Sequence, residues 1–513
     1  MEMRQSPMPP ERINPANNPV WSLAIASALI LILLTPMQLI CEAQGTDQYI
    51  EIPAEVLRDK IRGGLLGQIL GNLNGLPHEM KYINEPGNVS EYTPALADGA
   101  RTDDDTDLEW VYIVQMQQRS AIMLSPEQIV SLWKQRINKR IWCSNQYARQ
   151  LMDIGFKPPL TGNIVFNPWA DFNISGQFVC ETFALLAPAM PEVAARIGLN
   201  YTTVTISGEP AQTTQLFTSM IATAFVSDDI EEIIKAGLVA IDPQCQIRQI
   251  VNDVRRWYSE HPDDWRAVRE LVRDKYSLHN GAMRDKNGHE LNTASTIAAL
   301  LYGRGDFAET LRIAFNFGWD ADNNAATSGT IIGVMKGYRW MMAQGWQIVD
   351  RYRNTTREDM PIDETITSFA DRIIDLAEAV IVDQGEAREA SEGRVLYRIP
   401  VRPPQNVLPL ASVDDETARL RAGIGPRVKA IIRSSNKPQE LAFAAYAAIC
   451  LDMAEDLRHE HPARWAGALE ALANNRKVIQ VLFFESPVEA GDRLREKAIK
   501  AGLDKPTQKV NIW

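Results

Sequence analysis

Cysteine and histidine are scarce, with five and six in 513 residues. The cysteines Cys41, Cys143, Cys180, Cys245 and Cys450 stand far apart, with no Cys-x-x-Cys pair, which leaves a cysteine metal site unsupported. Positive charge is also short. Against 65 acidic residues there are 53 basic ones, for a net charge of −12 and a pI near 5.2. Such a surface is ill suited to phosphate backbones or anionic lipid, so no nucleic-acid partner is expected. Apolar residues are not lacking. At 45% hydrophobic the chain can bury a large core, and its length points to more than one domain.

Only one long apolar run occurs, Val20–Ile40, behind a leader carrying Arg4 and Arg12. It reads as a secretory signal, with Cys41-Glu42-Ala43 placing the cut after Ala43. The alternative is an uncleaved anchor, since the run approaches the ~20 residues of a spanning helix. Ile40 is bulky where a lipidated cysteine needs a small neighbour. Residues 1–43 are thus expected to be a signal peptide or membrane anchor, with residues 20–40 as the anchoring segment and the body exported. The four remaining cysteines either form up to two disulfides or stay as buried thiols.

The stretch Asn316–Gly337 organises the rest. Asp320, Asp322 and Asn323 put oxygen ligands at an expected helix start, where carboxylates suit the free amides and the positive dipole end. Behind them Ala325, Gly329, Gly333 and Gly337 recur every fourth residue, on one helical face. Each glycine inside a helix costs roughly 1 kcal/mol against alanine, so the ladder implies close approach of another backbone. A matching ladder, Gly63, Gly67, Gly71 and Gly75, follows Pro53 and a helical start, and Pro77 ends it just before Glu79. Polar Gln68, Asn72, Thr327 and Lys336 interrupt both ladders, so soluble core helices are expected.

A second acidic element is Arg101-Thr-Asp-Asp-Asp-Thr-Asp-Leu, opening an amphipathic pattern. Thr102 with Asp105 resembles a capping box. Three adjacent aspartates exceed what capping needs, and a divalent cation relieves their repulsion best. Helical spacing runs from about Ser125 to Arg149 and from Phe178 to Leu186, separated by the Pro/Gly/Asn-rich loop Gly155–Gly176. Asp285–His289 reads as a tight turn. Beyond it Thr293–Leu301 and Phe307–Phe317 form a helix pair. Val395–Pro404 reads as an extended linker or edge strand. Helices resume at Glu416–Arg433, Gln439–Leu457 and Val488–Ala501, and His459-Glu460-His461 reads as a solvated turn.

Aspartate and amide oxygens, with no histidine or cysteine close by, favour Mg²⁺, with Mn²⁺ or Ca²⁺ as further candidates. Two elements more than two hundred residues apart could hold two ions, with Glu79 placed to act as general base. Arg62–Glu79, Thr102–Leu108 and Ala314–Gly337, in this order, resemble the three diagnostic segments of the ADP-ribosylglycohydrolase family, of dinitrogenase-reductase-activating glycohydrolase type. The likeness extends over roughly Pro53 to Asp350. It implies an all-α fold, a compact multi-helix bundle over residues 53–375, to which this chain's own helical patterns add a mostly helical C-terminal extension with an extended linker, residues 376–513. It also implies two Mg²⁺ or Mn²⁺ ions and hydrolysis of the N- or O-glycosidic bond joining ADP-ribose to a protein side chain or other acceptor.

Carried over residue by residue, the resemblance gives Glu79, Asp104 and Asp322 as catalytic groups. Asp103, Asp104, Asp105, Asp320, Asp322 and Asn323 become the metal ligands. The family's Thr-Asp-Asp-Thr falls on Asp103–Thr106, or one residue earlier. Ser175, Gly176 and Gln177 match the phosphate-binding loop loosely, and Trp319, in place of a glycine, would narrow the pocket or stack on a base or sugar. Asn72 stands where an aspartate is common and Ser207 where a histidine often precedes Gly-Asp. Two other readings stay open: hydrolysis of another ribosyl or glycosyl conjugate met outside the cytoplasm, and a non-catalytic ligand binder.

Overall fold

A computed structural model describes residues 49–511, apart from 385–387, 392–393 and 486–487. The expected leader lies outside the described residues. No helix among those described is long and apolar enough to cross a membrane. The described chain is all-α, with 22 α-helices and a few short strands.

The first glycine ladder folds as the helix Ala54–Gly75, capped by Pro53 in an extended conformation. It ends in the short 3-10 turn Leu76–His78, which delivers Glu79 in extended backbone. The second ladder forms the central helix Ala321–Lys336, with Asp320 at its N-cap. The two run antiparallel with their backbones in contact. A Cβ on Gly67 would sit 2.0 Å from the Gly329 carbonyl oxygen, and one on Gly71 would sit 2.2 Å from that of Ala325. Gly63 meets Gly333 in the same way. Gly337 departs from the expected register: it lies past the helix end at φ +81° and packs on Asp59.

Around this pair the apolar stripes of the other helices close a large core, including Leu57, Leu70, Trp110, Phe183, Ile297 and Phe369. The acidic element forms the helix Asp104–Arg119, but the expected capping box is absent. Its N-cap is Asp103, which makes no side-chain capping bond. Thr102 Oγ1 instead meets Thr355 Oγ1 at 2.8 Å and accepts from the Thr355 amide. Parallel pairing of Ala100–Arg101 with Tyr352–Arg353 fixes the entry to this helix.

Several finer expectations change. The periodic stretch from Ser125 to Arg149 breaks into Pro126–Arg136 and Cys143–Asp153. Asp285–His289 is not a turn: Arg284–Asn287 is a single helical turn leading straight into His289–Gly303. The strand Arg394–Pro400 is central rather than an edge, pairing with Tyr49–Pro53 on one side and Arg388–Ser391 on the other. Cys143, Cys180, Cys245 and Cys450 are free thiols.

The helix Ile366–Asp383 runs unbroken through residue 375. Beyond it, six helices from Val413 to Lys500 build a second apolar cluster. Of the three expected stretches, Gln439–Leu457 breaks into Pro438–Cys450 and Ala454–Glu460, and the helices Pro462–Ala473 and Arg476–Phe484 are additional to the expectation. His459 and Glu460 lie exposed at the end of Ala454–Glu460. The cluster also takes in Tyr147, Leu151, Phe156 and Phe166 from Cys143–Asp153 and the loop after it. Tyr446 seals this junction, donating to the Phe166 carbonyl at 2.8 Å and meeting the Tyr147 hydroxyl at 2.7 Å.

The contact between the ladders makes a direct prediction. Gly71→Ala should lower stability by about 3 kcal/mol, because neither backbone can yield. Gly423→Ala, where a Cβ meets nothing within 4 Å, should raise it by up to about 1 kcal/mol. Thermal unfolding of the two variants checks this, and equal shifts would refute the close-approach reading.

Candidate active site

The start of the central helix abuts the end of the first. A Cβ on Gly75 would lie 2.3 Å from the Asp322 Cα, so only glycine lets the two helix ends meet here. Two carboxylate trios result, Glu79–Asp320–Asp322 and Asp103–Asp105–Asp322, and within each the oxygens lie within 4.8 Å of one another. Asp322 belongs to both.

Asn72 sits among them. Its amide donates to Asp105 at 2.9 Å and to Asp103 and Asp322 at 3.3 Å each. Asp320 accepts from the Asn287 amide, and its own backbone N–H donates to Asn292 Oδ1 at 3.0 Å. The one-turn helix Arg284–Asn287 is what places Asn287 there. Asp322 Oδ1 is buried and has no hydrogen-bond partner.

Burial and mutual repulsion act together on these groups. Asp104, Asp105 and Asp322 are held well above the usual carboxylate range, first by desolvation and then by neighbouring aspartates. Asp320 is pushed up to about 8, by burial and then by Glu79. Glu79 is the exposed member of its trio. The walls around its carboxylate and the charge of Asp103 still raise its pKa. Carboxylates this close do not all ionise without a counter-cation. The orphaned Asp322 oxygen and the all-oxygen donor set fit hard divalent ions at both trios.

The trios lie in the wall of a cavity of about 730 Å³, within the roughly 300–1,000 Å³ of ordinary ligand sites. Asp104 lines this cavity without joining either trio. Other walls come from Trp142, Cys143, Trp169, Arg140, Arg357 and Glu485. Arg357 is committed to Asp107, with Nε 2.7 Å from Oδ2, in a fully buried ion pair. Burial first, then Asp320 and Asp104, push the Cys143 thiol up to about 12, which disfavours the thiolate.

The four expected substrate-binding residues lie elsewhere. Ser175 and Gln177 are fully buried. Gln177 spends its amide on Thr296 at 3.0 Å and on Thr327 at 3.2 Å, while Ser175 accepts from Asn173 at 2.9 Å. Gly176 lies against the Pro210 carbonyl. None of the three lines the cavity, to which this segment contributes Asn173 and Phe178 instead. Trp319 is also fully buried, with the Arg269 guanidinium 4.6 Å from its ring centroid. It shapes the site through its backbone, whose carbonyl accepts from the Met80 amide at 2.6 Å. The expected stacking on a ligand therefore gives way to fixing the turn beside Glu79.

Asn323 is buried with both amide atoms unpartnered and does not line the cavity. Asn72 was visible in the sequence only as a departure from the family pattern. Asn287, Trp142, Trp169 and Glu485 carried no signal at all.

These shifts fix a sign for stability against pH. Asp320, at about 8, and Glu181, raised by burial to about 7, bind protons in the fold that an unfolded chain has already lost above about 4. The folded state thus holds more protons between about 4 and 8, and stability falls as pH rises through that window. Chelator-treated protein should unfold at a lower temperature at pH 8 than at pH 5.5, and Mg²⁺ should recover much of the loss at pH 8. A flat profile with no metal effect would contradict the assignment.

Comparison with known proteins completes the description. The ADP-ribosylglycohydrolase family model matches residues 53–384. A solved structure described as an ADP-ribosylglycohydrolase-related protein complex is similar over 63% of this chain and 99% of that one, at 16% identity and a TM-score of 0.42. No curated protein matches. With the match spanning well over half its length, this chain belongs to the ADP-ribosylglycohydrolase family and is a hydrolase of glycosyl bonds.

Proposed function

We propose that the protein hydrolyses the glycosidic bond between ADP-ribose and an acceptor, using two divalent ions, Mg²⁺ or Mn²⁺. The observation that carries this is the pair of carboxylate trios sharing Asp322 in the wall of a ligand-sized cavity. One ion would be held by Asp320 and Asp322 beside the free Glu79 carboxylate, the other by Asp103, Asp105 and Asp322. Bound there, the ions supply a positive field that orients the vicinal ribose hydroxyls and offsets developing negative charge.

The chain's own groups do the rest. Asn72 and Asn287 hold the aspartate oxygens in place by hydrogen bonds. The buried Arg357–Asp107 pair stiffens the wall behind Asp103 and Asp104, with Arg357 also donating to the Lys139 carbonyl at 2.6 Å. Glu79, the exposed carboxylate, takes the proton of a water whose oxygen attacks C1″. The bond from C1″ to the acceptor opens, the acceptor atom takes up the proton that Glu79 received from the water, and free ADP-ribose and acceptor result with Glu79 again ionised. The apolar leader extends the proposal to an exported enzyme acting on conjugates outside the cytoplasm.

Release of ADP-ribose from arginine- and serine-linked conjugates, with Mg²⁺, with Mn²⁺ and with chelator, tests the reading. Metal-dependent release is expected. The double variant Asp320→Asn, Asp322→Asn should lose turnover by about 10³-fold or more while its helical circular dichroism stays intact. Glu79→Gln should lose turnover by about 10²–10⁴-fold and still bind two ions by calorimetry. Unchanged turnover in the double variant would remove the metal mechanism.

A further inference from the structure

The cavity is not built by the family-matched residues alone. Glu485, about a hundred residues beyond the end of that match at 384, is one of its lining residues. It stands just after the helix Arg476–Phe484 of the C-terminal extension. Its position is fixed twice. Its backbone carbonyl accepts from the indole N–H of Trp169, a cavity residue on the loop after Cys143–Asp153. Its carboxylate Oε1 accepts from the Gln480 amide at 3.1 Å. Gln480 is 3% exposed and is itself anchored by the Val510 N–H, 2.9 Å from its oxygen. The shared apolar cluster and the Tyr446 bonds described above make this wall a rigid part of the molecule.

What the carboxylate meets is as informative as what holds it. Gln480 is neutral, and among the described residues no cation pairs with Glu485. Three other cations line the cavity: Arg101 is engaged with Asp103 and Arg357 with Asp107, while Arg140 pairs with no carboxylate among the described residues, Glu485 included. The neighbouring walls are indoles. Trp169 docks on Glu485, and Trp142 also lines the cavity with 58% of its surface open. Indole faces and an unpaired carboxylate share one preference, a positively charged ligand group.

We infer that Glu485 is a specificity-determining residue through which the C-terminal extension recognises a cationic acceptor, a guanidinium or ammonium group, in the substrate. The inference rests on the hydrolytic reading for its kinetic consequence, and on charge alone for binding.

Glu485→Gln tests it on the whole chain. This change keeps the Gln480 amide partnered and leaves the Trp169 bond untouched, since that bond is to the backbone. The Mg²⁺-loaded protein is titrated with butylguanidinium and with its neutral analogue butylurea, read by ligand-observed NMR. The native chain should prefer butylguanidinium, and Glu485→Gln should weaken that binding about tenfold while leaving butylurea unchanged. In turnover, KM for an arginine-linked conjugate should rise about tenfold, with kcat and the serine-linked reaction unaffected. Equal binding of butylguanidinium by both proteins, or none by the native one, overturns the inference. If the native chain cleaves neither linkage, the hydrolytic reading fails instead, and the titration still decides the role of Glu485.

Discussion

Backbone-to-backbone contact between Ala54–Gly75 and Ala321–Lys336 is the constraint on which the molecule depends. Each glycine in a helix sacrifices roughly 1 kcal/mol of propensity, and close packing of the two helices must offset that sum. The return is positional. Once Gly67 faces Gly329 and Gly71 faces Ala325, the register leaves Gly75 against Asp322, and the end of one helix lies on the start of the other. A side chain at Gly67, Gly71, Gly75 or Gly329 would push the helices apart and open the trios that share Asp322. Stability and site geometry are therefore set by the same contact.

That contact gathers negative charge in a place water barely reaches, and the sequence answers with amides. The two amide hydrogens of Asn72 are shared among three aspartates. One helical turn deeper the arrangement repeats, with Gln68 donating to Glu109 at 2.6 Å. The pairs Asn72 with Asp105 and Gln68 with Glu109 are each four residues apart on their helices, so successive layers stack along the same faces. The deeper layer is fully enclosed: Glu109 also accepts from the Thr182 amide and Glu181 accepts from the Thr327 hydroxyl. Only the upper layer opens to the cavity and can admit cations. An aspartate in place of Asn72 would add a charge to a cluster that is already hard to ionise, so the amide at this position eases the electrostatic load while keeping the ligand oxygens oriented.

The features that were legible in the sequence share a property: they depend on short-range spacing. Four-residue glycine ladders, aspartates at helix starts and Pro77 before Glu79 could all be read because helical geometry maps sequence spacing onto space. Asn287 could not, since its role depends on a single helical turn that resembles a loop signal. Ser175–Gln177 misled for a related reason. A Ser-Gly-Gln segment ahead of a helix suits an anion only if its amides face open space, and here the Thr213–Thr214 side of Glu209–Thr223 covers it, with the Thr214 hydroxyl bonded to the Gly176 carbonyl at 2.7 Å. Trp319 likewise looked like a pocket residue by position, but burial beneath Arg269 turned its ring inward.

The division of labour in the cavity follows from how each part is held. Groups that must be placed to a fraction of an ångström, the two trios, stand on helices locked by backbone contact. Groups that meet the rest of a ligand, Trp142, Trp169 and Glu485, stand on an N-cap, a loop and the edge of an added helical cluster. Such positions can change without disturbing the trios, because the second cluster has its own core and touches the first mainly through Cys143–Asp153 and its following loop. On the proposed reading, chemistry and recognition rest on separate cores that face one cavity, and a carboxylate brought by the second core would alter which acceptor fits without altering how its bond is cut.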